Sequence, residues 1–239
     1  MRRVLVTGAT GFIGRPLCAK LAVSGWLVRS AVRRQPAESF LPAGTETAVI
    51  PGVGPGTDWE EALDGVDAVV HLAARVHVMK DAAADPLASY REVNAAGTAR
   101  LAEAAAAAGV RRFVFMSTVK VNGKGGELPY RETDEPAPSD PYGLSKAEGE
   151  AALRAAARPG GLEPVILRPP LVYGPGVKAN FLSLLRLAST GLPLPLGGIR
   201  NSRSLIYAEN LVDAVLLCLE RPEADGRTYM VSDGTTVST

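Results

Sequence analysis

The first fourteen residues constrain this chain more than any other stretch. Arg2-Arg3-Val4-Leu5-Val6-Thr7 is a short run of branched apolar residues that reads as a buried strand. It breaks on Gly8, and a helical pattern opens near Phe12, with Gly8, Gly11 and Gly14 at spacings of three. A strand that turns on glycine into a helix can cradle a pyrophosphate. The turn brings backbone N–H groups close to the anion, and the helix start presents free donors and the positive end of its dipole. Gly14 lets the helix pack close to the strand. Glycines mark many ordinary turns, so the triplet gains meaning from the strand and helix that bracket it.

The rest of the chain repeats that unit. Strands are predicted at Arg3–Thr7, Leu27–Val32, Thr47–Ile50, Ala68–Leu72, Arg112–Met116 and Pro164–Leu167. Helices are predicted at Phe12–Ser24, Asp58–Leu63, Pro86–Ala108, Tyr142–Ala157, Phe181–Ser189 and Glu209–Glu220. Alternating β and α segments with unbroken apolar strands, such as Phe113-Val114-Phe115-Met116, specify an α/β fold: a doubly wound parallel sheet buried on both faces. Thr57 and Glu60 have capping-box spacing, which makes Asp58 a helix-start residue rather than a ligand. After Leu167 the texture turns loop-rich, as in Gly174-Pro175-Gly176 and Leu192-Pro193-Leu194-Pro195-Leu196-Gly197-Gly198. Residues 1–167 therefore read as a dinucleotide-binding Rossmann domain. Residues 168–239 read as a small substrate lobe, with some segments returning to the sheet. The sequence ends soon after a strand at Thr228–Val231, so that lobe is expected to be truncated or partly ordered, with an open cleft.

Composition excludes several classes. A formal net charge of +1 gives no bulk field for nucleic acid or an anionic membrane. The apolar run after Met1-Arg2-Arg3 is about six residues, too short for a signal peptide or a membrane span. Cys18 and Cys218 fall in amphipathic helices and read as reduced core residues, with no metal pair, which suits the cytoplasm.

Two features carry chemistry. Tyr142 and Lys146, in Pro141-Tyr142-Gly143-Leu144-Ser145-Lys146, are four apart on a helix and share a face. A free phenol titrates near ~10 and is a poor base at neutral pH. A nearby ammonium, and an oxidised nicotinamide, would favour its phenolate and let it exchange a proton with a hydroxyl as hydride moves. Ser117 and Thr118 follow the strand Arg112–Met116, at the carboxyl edge where open α/β folds bind ligands. A hydroxyl there can hold the reacting oxygen against Tyr142, although Ser and Thr also end many plain strands.

Taken in order, Gly8/Gly11/Gly14, His71-Leu72-Ala73-Ala74, Val93-Asn94 with Gly97-Thr98, Ser117-Thr118, Tyr142/Lys146 and Arg168-Pro169 with Val172-Tyr173-Gly174-Pro175-Gly176 form a recognisable set. The chain resembles the extended short-chain dehydrogenase/reductases, the NAD-dependent epimerase/dehydratase family that acts on nucleotide sugars, over essentially its whole length. The resemblance implies Tyr142 as acid/base, Lys146 as its electrostatic partner and ribose ligand, and Thr118 as the hydroxyl that polarises the reacting oxygen. It implies a cofactor site of Gly8, Gly11, Phe12, Ile13, Gly14, Arg33, Leu72, Ala73, Ala74, Asn94, Tyr142 and Lys146. It places Ser117, Thr118, Asn180 and Arg203 on the substrate, the last two on a diphosphate, with Leu192–Gly197 over the base. His71 is implied to be structural, with its backbone facing the cofactor, and His77 has no role.

Departures from the family narrow the reaction. Sugar dehydratases carry an Asp-Glu pair after the catalytic Thr; Val119 and Lys120 stand there, which removes the acid and base of elimination. Val121-Asn122-Gly123 lacks a substrate-side Tyr. The implied activity is NAD(P)-dependent hydride transfer at C4 of a UDP-hexose, as in a 4-epimerase. The alternatives are NADPH-dependent reduction of a 4-keto-6-deoxy nucleotide sugar, a non-catalytic NADP-binding regulator, and a reductase of a small carbonyl. The wording around Arg75-Val76-His77-Val78 is similar to reductases and epimerases of 6-deoxy-N-acetylhexosamine pathways. At the end of the second strand Val32 replaces the usual ribose-binding acid, and Arg33-Arg34 follow. Two arginines suit a 2′-phosphate, so NADP is expected to bind at least as well as NAD. A homodimer is expected through the helices Pro86–Ala108 and Tyr142–Ala157.

Overall fold

A computed structural model describes residues 2–35, 40–76, 85–126, 128–158, 160–177, 179–191 and 201–238, with backbone alone at 179 and 180. Seven parallel strands form the main sheet: β1 (Arg3–Thr7), β2 (Leu27–Val32), β3 (Glu46–Val49), β4 (Ala68–His71), β5 (Arg112–Met116), β6 (Glu163–Arg168) and β9 (Thr228–Met230). Their spatial order is β3-β2-β1-β4-β5-β6-β9. The order reverses between β1 and β4, and the crevice above the carboxyl ends of those strands is where a doubly wound sheet binds its ligand.

Strand alternation explains why both faces are buried. Val4, Val6, Val70, Val114 and Leu167 pack under α1 (Gly14–Val23) and α7 (Ala208–Glu220). Leu5, Val69, Phe113, Phe115 and Ile166 face the other way, under α2 (Glu60–Leu63), α4 (Gly97–Ala107) and α5 (Pro141–Ala157). No helix among the described residues is long and apolar enough to cross a membrane.

The expected continuous helix from Pro86 to Ala108 is in fact three pieces: α3 (Pro86–Arg91), a π-helical turn at Glu92–Ala96, and α4. The widened turn places Asn94 inward, 1% exposed, while Gly97 lies against Val53 and Gly54, where a Cβ would come within 2.7 Å of Val53 Cγ1. π-bulges inside α-helices often mark such inserted functional positions.

The capping box at Thr57 does not form. The Thr57 hydroxyl donates to the Gly52 carbonyl at 2.8 Å and accepts from the Gly54 amide at 3.0 Å, closing the preceding loop. Asp58 accepts from the Glu60 amide at 3.0 Å instead.

Beyond β6 the chain forms a small sheet of β7 (Leu171–Tyr173), β8 (Arg203–Tyr207) and β10 (Thr236–Val237), in the order β10-β8-β7. Helix α6 (Ala179–Ser189) lies between β7 and β8 in sequence. Segment α7 and strand β9 return to the main sheet. Asp233 holds the small sheet to α7: it accepts from the Tyr173 hydroxyl at 2.9 Å, the Tyr207 amide at 3.1 Å and Asn210 Nδ2 at 2.9 Å.

Candidate active site

The glycine turn after β1 is tight on every side. Gly8 has φ +70°, a left-handed conformation, and a Cβ there would stand 2.9 Å from the Ala73 amide nitrogen. A Cβ on Gly14 would strike the Gly8 carbonyl and lie 2.7 Å from Ala9 Cα. The Gly11 amide donates to the Gly8 carbonyl at 2.9 Å, which curls the turn onto the start of α1. In the first turn of α1 the Arg15 amide donates to the Gly11 carbonyl at 3.2 Å and the Leu17 amide to the Ile13 carbonyl at 3.1 Å, Pro16 has no N–H, and no acidic residue stands there. Gly11 is exposed there, with Phe12 and Ile13 half-buried beside it. A crowded turn, exposed at Gly11 and leading into a helix start free of carboxylates, fits a dinucleotide pyrophosphate.

The far side of the crevice is fixed to this turn. The Leu72 amide donates to the Thr7 carbonyl at 3.3 Å, and the Ala73 amide to the Thr7 hydroxyl at 3.1 Å. Thr7 in turn contacts His71 Nδ1 at 2.6 Å, and His71 Nε2 contacts Thr98 Oγ1 at 3.2 Å. The Thr98 hydroxyl donates to the Asn94 carbonyl at 2.8 Å, so it accepts from His71; His71 therefore carries its proton on Nε2 and accepts from Thr7 on Nδ1. Burial, reinforced by the Lys146 charge, pulls the His71 pKa down to about 3. The ring is a neutral tie in the floor of the site, and His77 lies outside the described residues.

Asn94 differs from its expected role. Both of its N–H donors are spent on protein: on the Arg75 carbonyl at 3.0 Å and Ser145 Oγ at 3.0 Å. Its Oδ1 accepts from the Arg75 amide at 2.8 Å. Its side chain clamps the loop after β4 to helix α5, leaving no donor for a cofactor.

Helix α5 is capped by Asp140, whose Oδ1 accepts from the Gly143 amide at 2.7 Å, with Pro141 in the first turn. Gly143 sits against the Lys120 carbonyl, so the start of α5 packs directly on the 3₁₀ turn Val119–Val121. Thr118 is the N-cap of that turn, its Oγ1 accepting from the Lys120 amide at 3.3 Å. The tail of β5 stays paired past the sheet: the Ser117 amide donates to Leu167 at 2.7 Å and the Val119 amide to Pro169 at 3.0 Å. Thr118 and Tyr142 are thus brought to one wall of the site by two rigid elements.

Lys146 is 1% exposed, and its ammonium lies 3.9 Å from the centre of the Phe115 ring. Burial pulls its pKa down to about 7, against an upward push from Glu150. Tyr142 behaves differently from the sequence expectation. Burial, then the negative charge of Asp140 and the neighbouring Tyr90 ring, push its phenol up to about 12. Tyr90 meets it edge-on at 6.1 Å, and Lys120, paired with Asp140 at 2.7 Å, stands 5.8 Å from its ring centre. The Lys146 ammonium by itself does not turn the phenol into phenolate.

Ser117 also differs. Its hydroxyl donates to Glu150 Oε1 at 2.5 Å and is 3% exposed, turned into a buried network rather than toward a substrate. Arg33 and Arg34 are exposed just past β2, and Arg203 is exposed at the start of β8. The side chain of Asn180 and the segment Leu192–Gly197 lie outside the described residues. The sequence assigns no task to Thr98 or Asn122 and does not single out Glu150, although Glu150 is one further step of four after Tyr142 and Lys146.

Comparisons agree with this geometry. The sequence model of the NAD dependent epimerase/dehydratase family matches residues 4–232, and the chain belongs to that family. It is 47% identical over 245 residues to a UDP-glucose 4-epimerase of Vibrio cholerae, covering 100% of this chain and 73% of that protein. Its structure is similar to MoeE5 in complex with UDP-glucuronic acid and NAD, with TM-score 0.83 and 32% identity over 99% of this chain and 78% of that one. It is similar also to the UDP-glucose 4-epimerase of Thermotoga maritima with UDP-glucose, with TM-score 0.81 and 26% identity over 99% and 78% of the two chains.

Proposed function

We propose that this chain catalyses NAD(P)-dependent 4-epimerisation of a UDP-hexose. The observation that carries the reading is the convergence of Thr118, Tyr142 and Lys146 at the carboxyl edge of the sheet, beside a glycine turn shaped for a pyrophosphate. The names of its relatives supply the substrate class. A bound nicotinamide supplies a hydride acceptor and, in the return step, a donor. The protein's own groups then have distinct tasks. Thr118 donates to the C4 oxygen and holds it against Tyr142. Once ionised by the added positive charge of a bound nicotinamide, Tyr142 would take the C4 hydroxyl proton in the oxidation and return it in the reduction. Lys146 supplies the positive charge that the buried phenol needs in order to ionise, and its ammonium suits a ribose hydroxyl. Gly8, Gly11, Phe12, Ile13 and Gly14 hold the pyrophosphate, with Leu72, Ala73 and Ala74 forming the opposite lip. Arg203 and Asn180 are assigned to the substrate diphosphate, which a guanidinium can grip bidentately.

The protein is assigned to the cytoplasm, where Cys18 and Cys218, buried thiols that burial pushes up to about 11, remain reduced. The test is to incubate the purified chain with UDP-glucose and NAD and to follow UDP-galactose. Interconversion is expected. Firm binding of NAD and UDP-glucose without any epimer formed would overturn the reading. A second reading, NADPH-dependent reduction of a 4-keto nucleotide sugar, is favoured by the exposed Arg33 and Arg34 past β2. NADP(H) is expected to bind at least as tightly as NAD(H), and Arg33→Ala to weaken NADP(H) selectively. A strong NAD preference that Arg33→Ala leaves untouched removes this second reading.

A further inference from the structure

Behind the reacting wall lies a buried carboxylate to which the reaction above gives no task. Glu150 is 2% exposed. Its Oε1 accepts from Ser117 Oγ at 2.5 Å and Arg168 Nε at 2.9 Å, and its Oε2 from Arg168 Nη2 at 2.6 Å. Arg168, 3% exposed, continues from Nη1 to Asn122 Oδ1 at 3.1 Å. One carboxylate therefore joins the residue before Thr118, the helix of Tyr142 and Lys146, the end of β6, and the residue that closes the turn capped by Thr118.

Stability alone does not call for such a pair. Desolvating two charges costs about as much as their attraction returns, and a well-packed apolar pair often serves as well. The charges around Lys146 suggest what the carboxylate does. On its own helix Tyr142, a neutral phenol, and Glu150 stand one turn to either side of it. From β4 its charge acts on His71, neutral and tied by two threonines, and from β5 it lies over the Phe115 ring. Arg168 of β6 and Arg154 of α5 approach the carboxylate itself, Arg154 at 3.9 Å. Glu150 is the charge that opposes the pull of burial on Lys146.

We propose that Glu150 is a positioning residue of the reaction: its carboxylate fixes the Ser117–Thr118 end of β5 against α5 and, one turn along that helix, is the buried negative charge set beside Lys146. The inference rests on the proton-transfer role proposed for Tyr142 and Lys146, but its test does not need turnover. In the full chain with isotope-labelled lysine side chains, the Lys146 signal is assigned by its loss in Lys146→Met and titrated by NMR. The titration is repeated in Glu150→Gln and in Glu150→Met/Arg168→Met, which replaces the pair with apolar side chains so that a folded protein is retained. The Lys146 midpoint is expected to fall by about one pH unit or more in both variants. Ser117→Ala, which cuts the tether and keeps the charge, is expected to leave the midpoint in place. In an active enzyme it should lower kcat with KM for the nucleotide sugar unchanged. A Lys146 midpoint equal to wild type in folded Glu150 variants overturns the proposal and leaves Glu150 a structural residue, whatever the loss of stability. Absence of epimerisation in the wild-type chain would count against the functional reading, and the titration would still decide the role of Glu150.

Discussion

Tyr142 has to give and take a proton from a place that favours its neutral form. Burial and Asp140 hold its phenol up at about 12, and burial pulls the Lys146 pKa down to about 7. The protein thus keeps a proton on Tyr142 until additional positive charge enters the site. Tyr142→Phe is expected to lower epimerisation by on the order of 10²–10⁴-fold while cofactor affinity stays close to wild type. Steady-state turnover with a parallel cofactor titration checks this, and near-normal turnover would require another proton donor. His71 gives a separate pH signature. Its folded pKa, about 3, lies below its ordinary 6.5, so between those values the unfolded chain binds more protons than the folded one. Its contribution to stability is complete above pH 6.5 and is lost progressively as pH falls toward 3. Urea unfolding across that window should show stability falling with acid, and His71→Phe should flatten the slope even though it lowers stability overall. The placement of Tyr142 and Lys146 one turn apart on a single helix was legible from their spacing of four. The ties of Asn94 and Ser117 were not, because their partners Arg75 and Glu150 are distant in sequence and meet them only through packing.

At the scale of elements, the turn from β1 to α1 is where sequence and geometry are most tightly bound. Gly14→Ala would drive a methyl into the Gly8 carbonyl, backbone on backbone, with no flexible side chain to yield. Overpacking of this kind costs about 1–3 kcal/mol. Urea unfolding of Gly14→Ala should show that loss, together with weaker dinucleotide binding, since the helix start proposed to hold the pyrophosphate must shift. An unchanged midpoint would mean that α1 slides freely on the turn. The main-sheet strands were readable because burial on both faces demands unbroken apolar runs, such as Val4-Leu5-Val6 and Phe113-Val114-Phe115. The strands of the small sheet were not. Leu171–Tyr173 and Arg203–Tyr207 are short and partly exposed, so their composition resembles that of the loops around them. The π turn at Glu92–Ala96 was equally hidden: its residues suit an α-helix, and the extra residue is stabilised by what Asn94 reaches outside the helix.

For the whole molecule, the remaining question is what covers the face built from α3, α4 and α5. These helices pack on one side of the sheet through Leu101, Ala102, Ala105 and Leu153. Their outer positions include small residues, with Ala107, Ala151 and Ala155 exposed and Ala95, Ala99 and Ala147 half-buried. Small side chains let a second helix pair approach closely without ordering long side chains, which would cost conformational entropy. The face is also rigid: Arg91 of α3 clasps Glu148 of α5 through three hydrogen bonds of 2.7, 2.9 and 3.0 Å. A two-fold pairing of this face would bring two helices from each protomer into a four-helix contact, the self-complementary geometry that closed dimers use. Sedimentation of the chain at micromolar concentration is expected to show a dimer. Ala151→Arg, which sets two like charges near each other across the axis, is expected to yield a monomer that still binds the dinucleotide, since the glycine turn lies at the edge of the sheet away from this face. A wild-type chain that sediments as a monomer at every concentration would overturn the dimer, and an Ala151→Arg variant that remains a dimer would place the interface elsewhere.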